Sequence, residues 1–525
     1  MTKLAKLPIG IQTFSEIRSE GYAYVDKTPL LHRLVTEGKY YFLARPRRFG
    51  KSLLVSTLQA LFEGRREFFK GLSIEDKWDW DTVYPVIALD FSGVARSLED
   101  MQEDVSDLLT FNQQRLGVTC DNSRNLGGCF KQLIWNTYQK YGQKVVILVD
   151  EYDKFIVDNL DQIEVARQGR DVLRDLYSII KSSDAYIRFT LLTGVSKFSK
   201  MSVFSGLNNL KDISLNPTYA TICGYTERDL DTTFAAHLEG ADRDEVRRWY
   251  NGYNFLGEPV YNPFDILLFI DNGQQFKNYW FATGTPTFLI TLIQQNNYYI
   301  PQLDKLDVSE ELIDSYDIDN IQLEPILFQA GYLTVKAARQ TDFGMTYSLG
   351  FPNREVIITF NNVVVSYLTG NSNVLPIKNQ LLTDLKKQEI VRFKQTLTSL
   401  FAAIPYNNYV NNTIGSYEGY YASVIYAYLA SLGLDLVAED VTSTGRIDLT
   451  IHLSDVIYIL EFKVDGSGDA LAQIKERNYQ QKYLAEGKKI LLIGIDFDSA
   501  SRNVTGFAWE AVEPASNAGE FLSRT

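Results

Sequence analysis

Three groups of residues in this chain have the types and spacing that phosphate and metal chemistry requires. The first is Arg45-Pro46-Arg47-Arg48-Phe49-Gly50-Lys51-Ser52, which follows the apolar run Lys39 to Ala44 and precedes the helical run Leu53 to Phe62. Cradling a triphosphate takes exposed backbone N–H groups at a helix N-terminus, a lysine for the β and γ phosphates and a hydroxyl for Mg²⁺. Gly50, Lys51 and Ser52 supply these in order. The front of the loop departs from the G-x-x-x-x-G-K-[ST] pattern, because Arg45 stands where glycine is usual and Pro46 has no N–H to donate. On this motif alone, a basic turn that merely opens a helix competes with a phosphate loop.

The second group is the apolar strand Val145 to Val149 ending in Asp150-Glu151, about a hundred residues downstream. Asp150 suits Mg²⁺ held through water, and Glu151 suits polarisation of an attacking water. Such a strand end is common by itself and usually only solvated; following Gly50-Lys51-Ser52 in this order, it becomes more specific. Thr193-Gly194-Val195-Ser196, at the end of another strand, offers hydroxyls to sense a γ-phosphate, with ordinary strand-end polarity as the competing explanation.

The third group is Gly445-Arg446-Ile447-Asp448, twelve residues, then Glu461-Phe462-Lys463. Metal-dependent phosphodiester cleavage needs acids that hold one or two Mg²⁺ ions and a lysine that orients or activates water. Strand alternation puts Glu461 and Lys463 on one face, with Asp448 in the first strand of the same hairpin. A solvated sheet face or an ion pair is the ordinary explanation of such a triplet. Against it, Val456 to Leu460 is an apolar, buried strand, so charges at its end need a partner or a function. Glu418 on an upstream helix, and Gln473 and Tyr479 on the following one, are the neighbours within reach.

The elements that must position these residues are legible in outline. Strands are expected at Lys39–Ala44, Tyr84–Phe91 (with Asp90 near its end), Val145–Val149 and Ile187–Thr193, alternating with helical patterns, as in a parallel sheet covered by helices. Ligands of such sheets bind at the C-terminal strand ends, where the polar residues fall. From about 216 the pattern turns helical and aromatic, including Trp249-Tyr250-Asn251-Gly252-Tyr253 and Thr283-Gly284-Thr285-Pro286. Leu327 to Leu333 carries helix and strand signals. Further on, Ser416–Leu432 reads as an amphipathic helix, Leu434–Glu439, Arg446–His452 and Val456–Phe462 as strands, Asp469–Glu486 as a helix and Lys489–Phe497 as a strand.

At 525 residues, with 45% apolar and 22% charged residues, the chain is a folded protein of two to four units. The net charge of −13 argues against non-specific coating of nucleic acid, so any such contact is local. Three cysteines without a C-x-x-C pair and three scattered histidines exclude a zinc ribbon and make disulfides an unfavoured expectation. Thirty-two tyrosines and thirty phenylalanines are expected in cores and domain interfaces. The N-terminus runs into Pro8-Ile9-Gly10 without a signal core, and no apolar run reaches ~20 residues. A cytoplasmic location without membrane contact is the expectation.

Leu7-Pro8-Ile9-Gly10, Tyr24-Val25-Asp26-Lys27-Thr28, the Arg45–Ser52 loop, Asp150-Glu151-Tyr152-Asp153-Lys154, Trp249–Tyr253 and Thr283–Pro286 together resemble a family, over nearly the whole chain. It is that of the AAA-ATPase-like proteins common in gut-type bacteria, which carry a C-terminal PD-(D/E)XK nuclease-like domain. The resemblance implies an α/β protein: an N-terminal P-loop ATPase domain with a parallel sheet covered by helices (1–215), a helical lid-like subdomain (216–303), a connector (304–373) and a C-terminal mixed α/β restriction-endonuclease-like domain (374–525). In that family the arginine-rich loop front is the normal form. It implies ATP and Mg²⁺ as cofactors, with Arg48, Phe49, Gly50, Lys51, Ser52, Asp150 and Thr193 around the nucleotide. Ser52 and Asp150 would serve Mg²⁺, and Glu151 would be the hydrolytic acid. Asp448, Glu461 and Lys463 match the nuclease triad, and Glu418 the auxiliary acid of its first helix, giving a metal set of Glu418, Asp448 and Glu461. The family supplies no arginine finger; Arg188 and Arg228 are candidates that read more readily as structural or surface residues. Two functions follow: an ATP-dependent, Mg²⁺-dependent enzyme acting on DNA or RNA, or a nucleotide-switched protein that binds nucleic acid or protein without cutting it. Because an ATPase of this class often needs a neighbouring subunit to complete its site, a homo-oligomer is also expected.

Overall fold

The computed structural model describes residues 4–121, 125–197, 207–280, 299–313, 322–342, 344–368, 374–404 and 418–513. It divides into two compact units, residues 1–283 with 307–355, and residues 284–306 with 356–525.

In the first unit, short helices α1 (Phe14–Ser19) and α2 (Thr28–Glu37) lead into β1 (Tyr40–Ala44), α3 (Lys51–Phe62), β2 (Val86–Asp90), α4 (Leu98–Leu116), α5 (Leu126–Tyr141), β3 (Val145–Asp150), α6 (Lys154–Asp158), α7 (Ile163–Ser182), β4 (Ile187–Gly194) and β5 (Lys211–Asp212). The strands form one parallel sheet in the order β2-β3-β4-β1-β5. Every residue of β3 is buried, as a strand covered on both faces requires. Because the strands are parallel and in register (Ala44 beside Gly194, Asp90 beside Asp150), their C-terminal ends form one edge. The phosphate-loop strand β1 and the acidic strand β3 flank β4, so Thr193 lies between the two motifs.

Helices α8 (Glu227–Thr233), α9 (Arg243–Tyr250) and α10 (Pro263–Asp271) follow. Their apolar faces share a core with Ala23 and Val25 from the N-terminal segment. The Tyr24–Thr28 motif is a fastening between these parts. Lys27 Nζ lies 2.7 Å from Asp229 Oδ2 in the capping box of α8, and Asp26 accepts from the amides of Thr28 and Ser73, both at 2.8 Å. Thr283-Gly284-Thr285-Pro286 lies outside the described residues. Beyond it come β6 (Leu306–Ser309), α11 (Glu310–Ile313), α12 (Leu323–Ala330), β7 (Thr334–Thr341) and β8 (Gly344–Gly350), the strands pairing in the order β6-β8-β7.

Two fully buried carboxyls, Asp265 on α10 and Glu355 at the start of α13 (Arg354–Leu368), form a coupled pair in this unit. Burial raises both, and Glu355 moves from its ordinary 4.5 to about 7. The native state therefore keeps a proton that the unfolded chain releases. The stability this gives is fully present below about pH 4.5 and is lost as pH rises through about 7, a swing of roughly 3 kcal/mol at ~1.4 kcal/mol per pH unit. Melting curves of wild type should fall across this window, and those of the double variant Asp265→Asn/Glu355→Gln should fall much less.

In the second unit, α14 (Leu375–Lys386) and α15 (Ile390–Ala402) are followed by α16 (Glu418–Ala430), β9 (Asp435–Val441), β10 (Arg446–His452), β11 (Val456–Val464), α17 (Ala470–Glu476), β12 (Lys489–Asp498) and β13 (Asn503–Val512). The sheet runs β13-β12-β11-β10-β9, antiparallel except for the central β11–β12 pair. Three expectations need correction here. Helix α16 is not amphipathic: Tyr421 through Ala430 are buried all round, as in a helix enclosed by core. The expected helix Asp469–Glu486 breaks at Asn478, which is left-handed (φ 52°), and continues as a 3₁₀ segment, Tyr479–Glu486. Strand β13 was not anticipated.

In the first unit the structure also pairs Cys120 with Cys129 as a disulfide, Cα atoms 5.3 Å apart, contrary to the compositional expectation. Contacts between the segment after α4 and helix α5, such as Asn136 donating to the Thr119 carbonyl (2.7 Å), hold them close, which their spacing alone does not reveal.

Candidate nucleotide and metal sites

Each polar residue of the phosphate loop has a defined place in the structure. Arg45 is buried, with Nη1 donating to the carbonyls of Ala44 (2.9 Å) and Ser214 (2.7 Å) and Nη2 to that of Tyr219 (3.2 Å). Its guanidinium stacks on Phe255 at 3.8 Å. The residue that stands in place of glycine is thus a brace beneath the loop, and burial lowers its pKa to about 10. Phe49 is buried against Tyr253 and Phe255, with ring centroids 4.8 and 5.9 Å away, so its side chain anchors the loop and only its main chain remains for a ligand. The Trp249–Tyr253 motif, which reads in sequence as part of a lid, supplies that buttress. Arg48 is left-handed (φ 67°) and its guanidinium lies 3.9 Å from the Phe264 ring.

Gly50, also left-handed (φ 92°), caps α3; Lys51 and Ser52 are its first two residues. The Lys51 ammonium is buried and donates to the carbonyls of Arg45 (3.0 Å) and Pro46 (3.1 Å). Burial lowers its pKa, opposed by Asp150, Glu151 and Asp153. The acidic strand end therefore faces the loop lysine.

Asp150 Oδ1 accepts from the Thr193 hydroxyl and from the Glu151 amide (3.0 Å). The Thr193 hydroxyl thus bonds the acid of the neighbouring strand and the Val149 carbonyl (3.3 Å). Glu151 is left-handed (φ 51°), a conformation costly for a non-glycine residue and concentrated at functional sites. Burial raises its pKa against the pull of Lys51. Asp153, which sequence reasoning left unassigned, is buried and accepts from the amides of Val195 (3.2 Å) and Ser196 (2.5 Å), tying the end of β4 to that of β3. This close approach explains Gly194: a Cβ there would lie 2.4 Å from Asp153 Oδ1 and 2.5 Å from the Tyr152 ring. The repeat of aspartate within Asp150-Glu151-Tyr152-Asp153 was the available signal. Arg188 donates to the Val35 carbonyl (3.2 Å) and Arg228 is exposed on α8, in keeping with structural and surface roles.

In the second unit, Asp448, Glu461 and Lys463 converge. Asp448 Oδ2 accepts from the Phe462 amide at 2.8 Å, bridging β10 and β11. The Lys463 ammonium lies 3.4 Å from Glu461 Oε1 and donates to the Phe462 carbonyl at 2.9 Å. Glu461 is 1% exposed; Gln473 of α17 donates to its Oε1, while Oε2 is buried without a hydrogen-bond partner among the described residues. Burial, then Asp448, raise the Glu461 pKa to about 8, and Lys463 opposes them. Helix α17 reaches this face because Gly494 has no side chain: a Cβ there would be 2.4 Å from the Leu471 amide. Tyr479 donates instead to the Arg446 carbonyl (2.9 Å) and serves the strand. Glu418 begins α16, but its side chain lies outside the described residues. Two further acids were missed. Glu439 lies on β9 between Asp440 and Ala438, the partners of Ile447 and Leu449, and binds Arg446 and the Tyr299 hydroxyl (2.8 Å). Asp496 is paired in register with Lys463.

An unsatisfied, fully buried carboxylate oxygen is expensive unless a cation or donor completes it. Two oxygen-donor acids with a lysine beside them fit a hard divalent ion such as Mg²⁺. Gln473 donates to Glu461, so under the metal-site reading proposed below Gln473→Ala should weaken divalent-metal binding about 10-fold, read by isothermal titration with Mn²⁺, with the fold unchanged by circular dichroism.

The two sites and their sheets define an ATPase-like domain joined to a PD-(D/E)XK-type nuclease-superfamily domain. Family models agree: "Predicted AAA-ATPase" matches residues 8–204 and "PD-(D/E)XK nuclease superfamily" residues 416–507. The chain is 47% identical over 513 residues, 97% of its length and 99% of the relative's, to "Uncharacterized protein in vnfD 5'region" of Azotobacter chroococcum mcd 1. The chain belongs to that protein's family, bacterial AAA-ATPase-like proteins with a C-terminal PD-(D/E)XK nuclease superfamily domain. No helix among the described residues is long and apolar enough to cross a membrane.

Proposed function

We propose that this chain is an ATP-binding and ATP-hydrolysing enzyme whose nucleotide state governs Mg²⁺-dependent cleavage of a nucleic acid by its C-terminal domain. The observation that carries the proposal is the buried Glu461 carboxyl, held by Gln473 and Lys463 with one oxygen left over beside Asp448. A carboxyl kept in that setting costs stability, and a metal site is a function that repays it.

In the N-terminal domain the amides at Gly50 and Lys51, with the Lys51 ammonium, would bind the β and γ phosphates, and Ser52 and Asp150 would hold Mg²⁺. Glu151 would orient water, and Asp153 and Thr193 would fix the two strand ends between which this happens. In the C-terminal domain Asp448 and Glu461 would hold the ion, with Glu418 as a further acid, and Lys463 would orient the attacking water and offset charge on the scissile phosphate. When bound, the metal supplies Lewis acidity and a more acidic water.

The net charge of −13 favours the second reading, a nucleotide-switched protein that binds without cutting. One experiment separates them. Purified protein is incubated with Mg²⁺ and single- or double-stranded DNA or RNA, with and without ATP, beside Lys51→Ala. Cleavage that depends on ATP in wild type and loses that dependence in the variant supports the proposal; nucleic-acid binding with no cleavage under any condition supports the alternative.

A further inference from the structure

The C-terminal half of helix α5 presents aromatic rings to solvent. Trp135 is 41% exposed and Tyr141 44%, although tryptophan is usually well covered in a folded chain. Tyr186, in the short turn ahead of β4, joins Trp135 and Tyr138 in one cluster, with their ring centroids 4.8 and 5.1 Å from its own. Tyr141 and Tyr186 lead into β3 and β4, so this face sits at the N-terminal edge of the parallel sheet, away from the phosphate loop. Residues 126–144 also carry three lysines, Lys131, Lys140 and Lys144, and no acid, in a chain of net charge −13. Lys131 stands one helical turn from Trp135. Lys140 donates to the Leu116 and Gly117 carbonyls (2.9 and 3.0 Å), which leaves its charge uncompensated. Lys131 and Lys144 are exposed and make no ion pair among the described residues. The neighbouring acid, Asp184, on which Lys144 also acts, is engaged by Lys39 at 2.6 Å.

We propose that this face of the ATPase-like domain binds a single nucleic-acid strand, its bases stacking on Trp135 and Tyr186 and its phosphates meeting the lysines. The inference rests on the reading of nucleic acid as the substrate and adds a contact in the domain that does not cut. Exposed rings serve a strand whose bases are unpaired, because a duplex keeps its base faces stacked inside. Phosphates need positive charge close at hand, which the chain as a whole withholds and this segment supplies. A protein partner would also gain from the rings, but lysines are depleted where protein surfaces meet.

The test titrates the full chain, in EDTA, with a fluorescently labelled oligodeoxythymidine, its uridine counterpart and a DNA duplex of the same length, read by anisotropy. Trp135→Ala should weaken binding of the single strands about 10-fold and leave the duplex unmoved, while Trp135→Phe, which keeps a ring, should retain most of the affinity. Lys131→Gln/Lys144→Gln, at two exposed positions, should lower the slope of log affinity against log salt by about 1.4, at ~0.7 per phosphate contact. Unchanged strand affinity in Trp135→Ala, an unchanged salt slope in the lysine variant, or equal weakening of the duplex would overturn the assignment while leaving the nucleic-acid reading standing. An oligomer that dissociates in Trp135→Ala with strand affinity intact would make the face a contact between copies of the chain instead. Wild type that binds neither strand nor duplex would remove the nucleic-acid reading itself and the inference with it.

Discussion

Lys51→Ala is expected to weaken ATP binding about 100-fold, or ~2.7 kcal/mol, in a fluorescent-nucleotide titration. Lys51 is 5% exposed and its ammonium is held by the carbonyls of Arg45 and Pro46 at the front of α3. A phosphate group competes with those two carbonyls for the same three N–H donors, and as an anion it wins. Three acids, Asp150, Glu151 and Asp153, also act on this ammonium, so its loss removes the counter-charge between them and the phosphates. The fold should survive. Removing a buried ammonium relieves a desolvation cost that offsets the two lost hydrogen bonds, so the melting temperature should move by only a few degrees. Lys51→Arg should not rescue binding, because a planar guanidinium does not fit where a compact ammonium is enclosed. Unchanged ATP affinity in Lys51→Ala would show that the loop does not cradle phosphate.

The second large effect is expected at Glu461. Glu461→Gln keeps the shape and the contacts to Lys463 and Gln473 but removes the charge that a divalent ion needs. Mn²⁺ binding to the C-terminal site should be lost, and cleavage should fall roughly a thousandfold, the several kcal/mol that metal-held charge supplies. Stability should move the other way. The carboxyl is pushed up to about 8 by burial and by Asp448, so the native state keeps a proton that the unfolded chain releases, and wild type loses stability as pH rises from the ordinary carboxylate range to that value. The neutral amide escapes this, and Glu461→Gln should melt at a higher temperature than wild type at pH 8 and at nearly the same temperature at pH 5. A variant that lost cleavage and also melted lower at pH 8 would point to damaged packing instead.

Much of this arrangement was legible in the sequence because its signals are local. Apolar runs such as Val145–Val149 and Val456–Leu460 mark strands buried on both faces, and the acids that follow them fall at strand ends. The alternation that put Glu461 and Lys463 on one face needs only the period of a strand. What stayed hidden depends on partners remote in sequence. The role of Arg45 as a brace required knowing that the Ser214 and Tyr219 carbonyls and the Phe255 ring surround it. Tyr253 had no local mark as the support of Phe49, two hundred residues upstream. The hydroxyl of Thr193 was visible in the sequence, whereas its acceptor, Asp150 on the adjacent strand, was not. Asn478 broke an expected helix through a single left-handed residue, and α16 read as amphipathic because its tyrosines resemble a polar face until both sides are seen to be covered.

The most direct test of the central claim compares wild type with Glu461→Ala on single-stranded DNA, double-stranded DNA and RNA, in the presence of ATP and Mg²⁺. The expected result is cleavage of at least one of these substrates by wild type, abolished by EDTA, and none by Glu461→Ala. Identical behaviour of the two proteins on every substrate would contradict it.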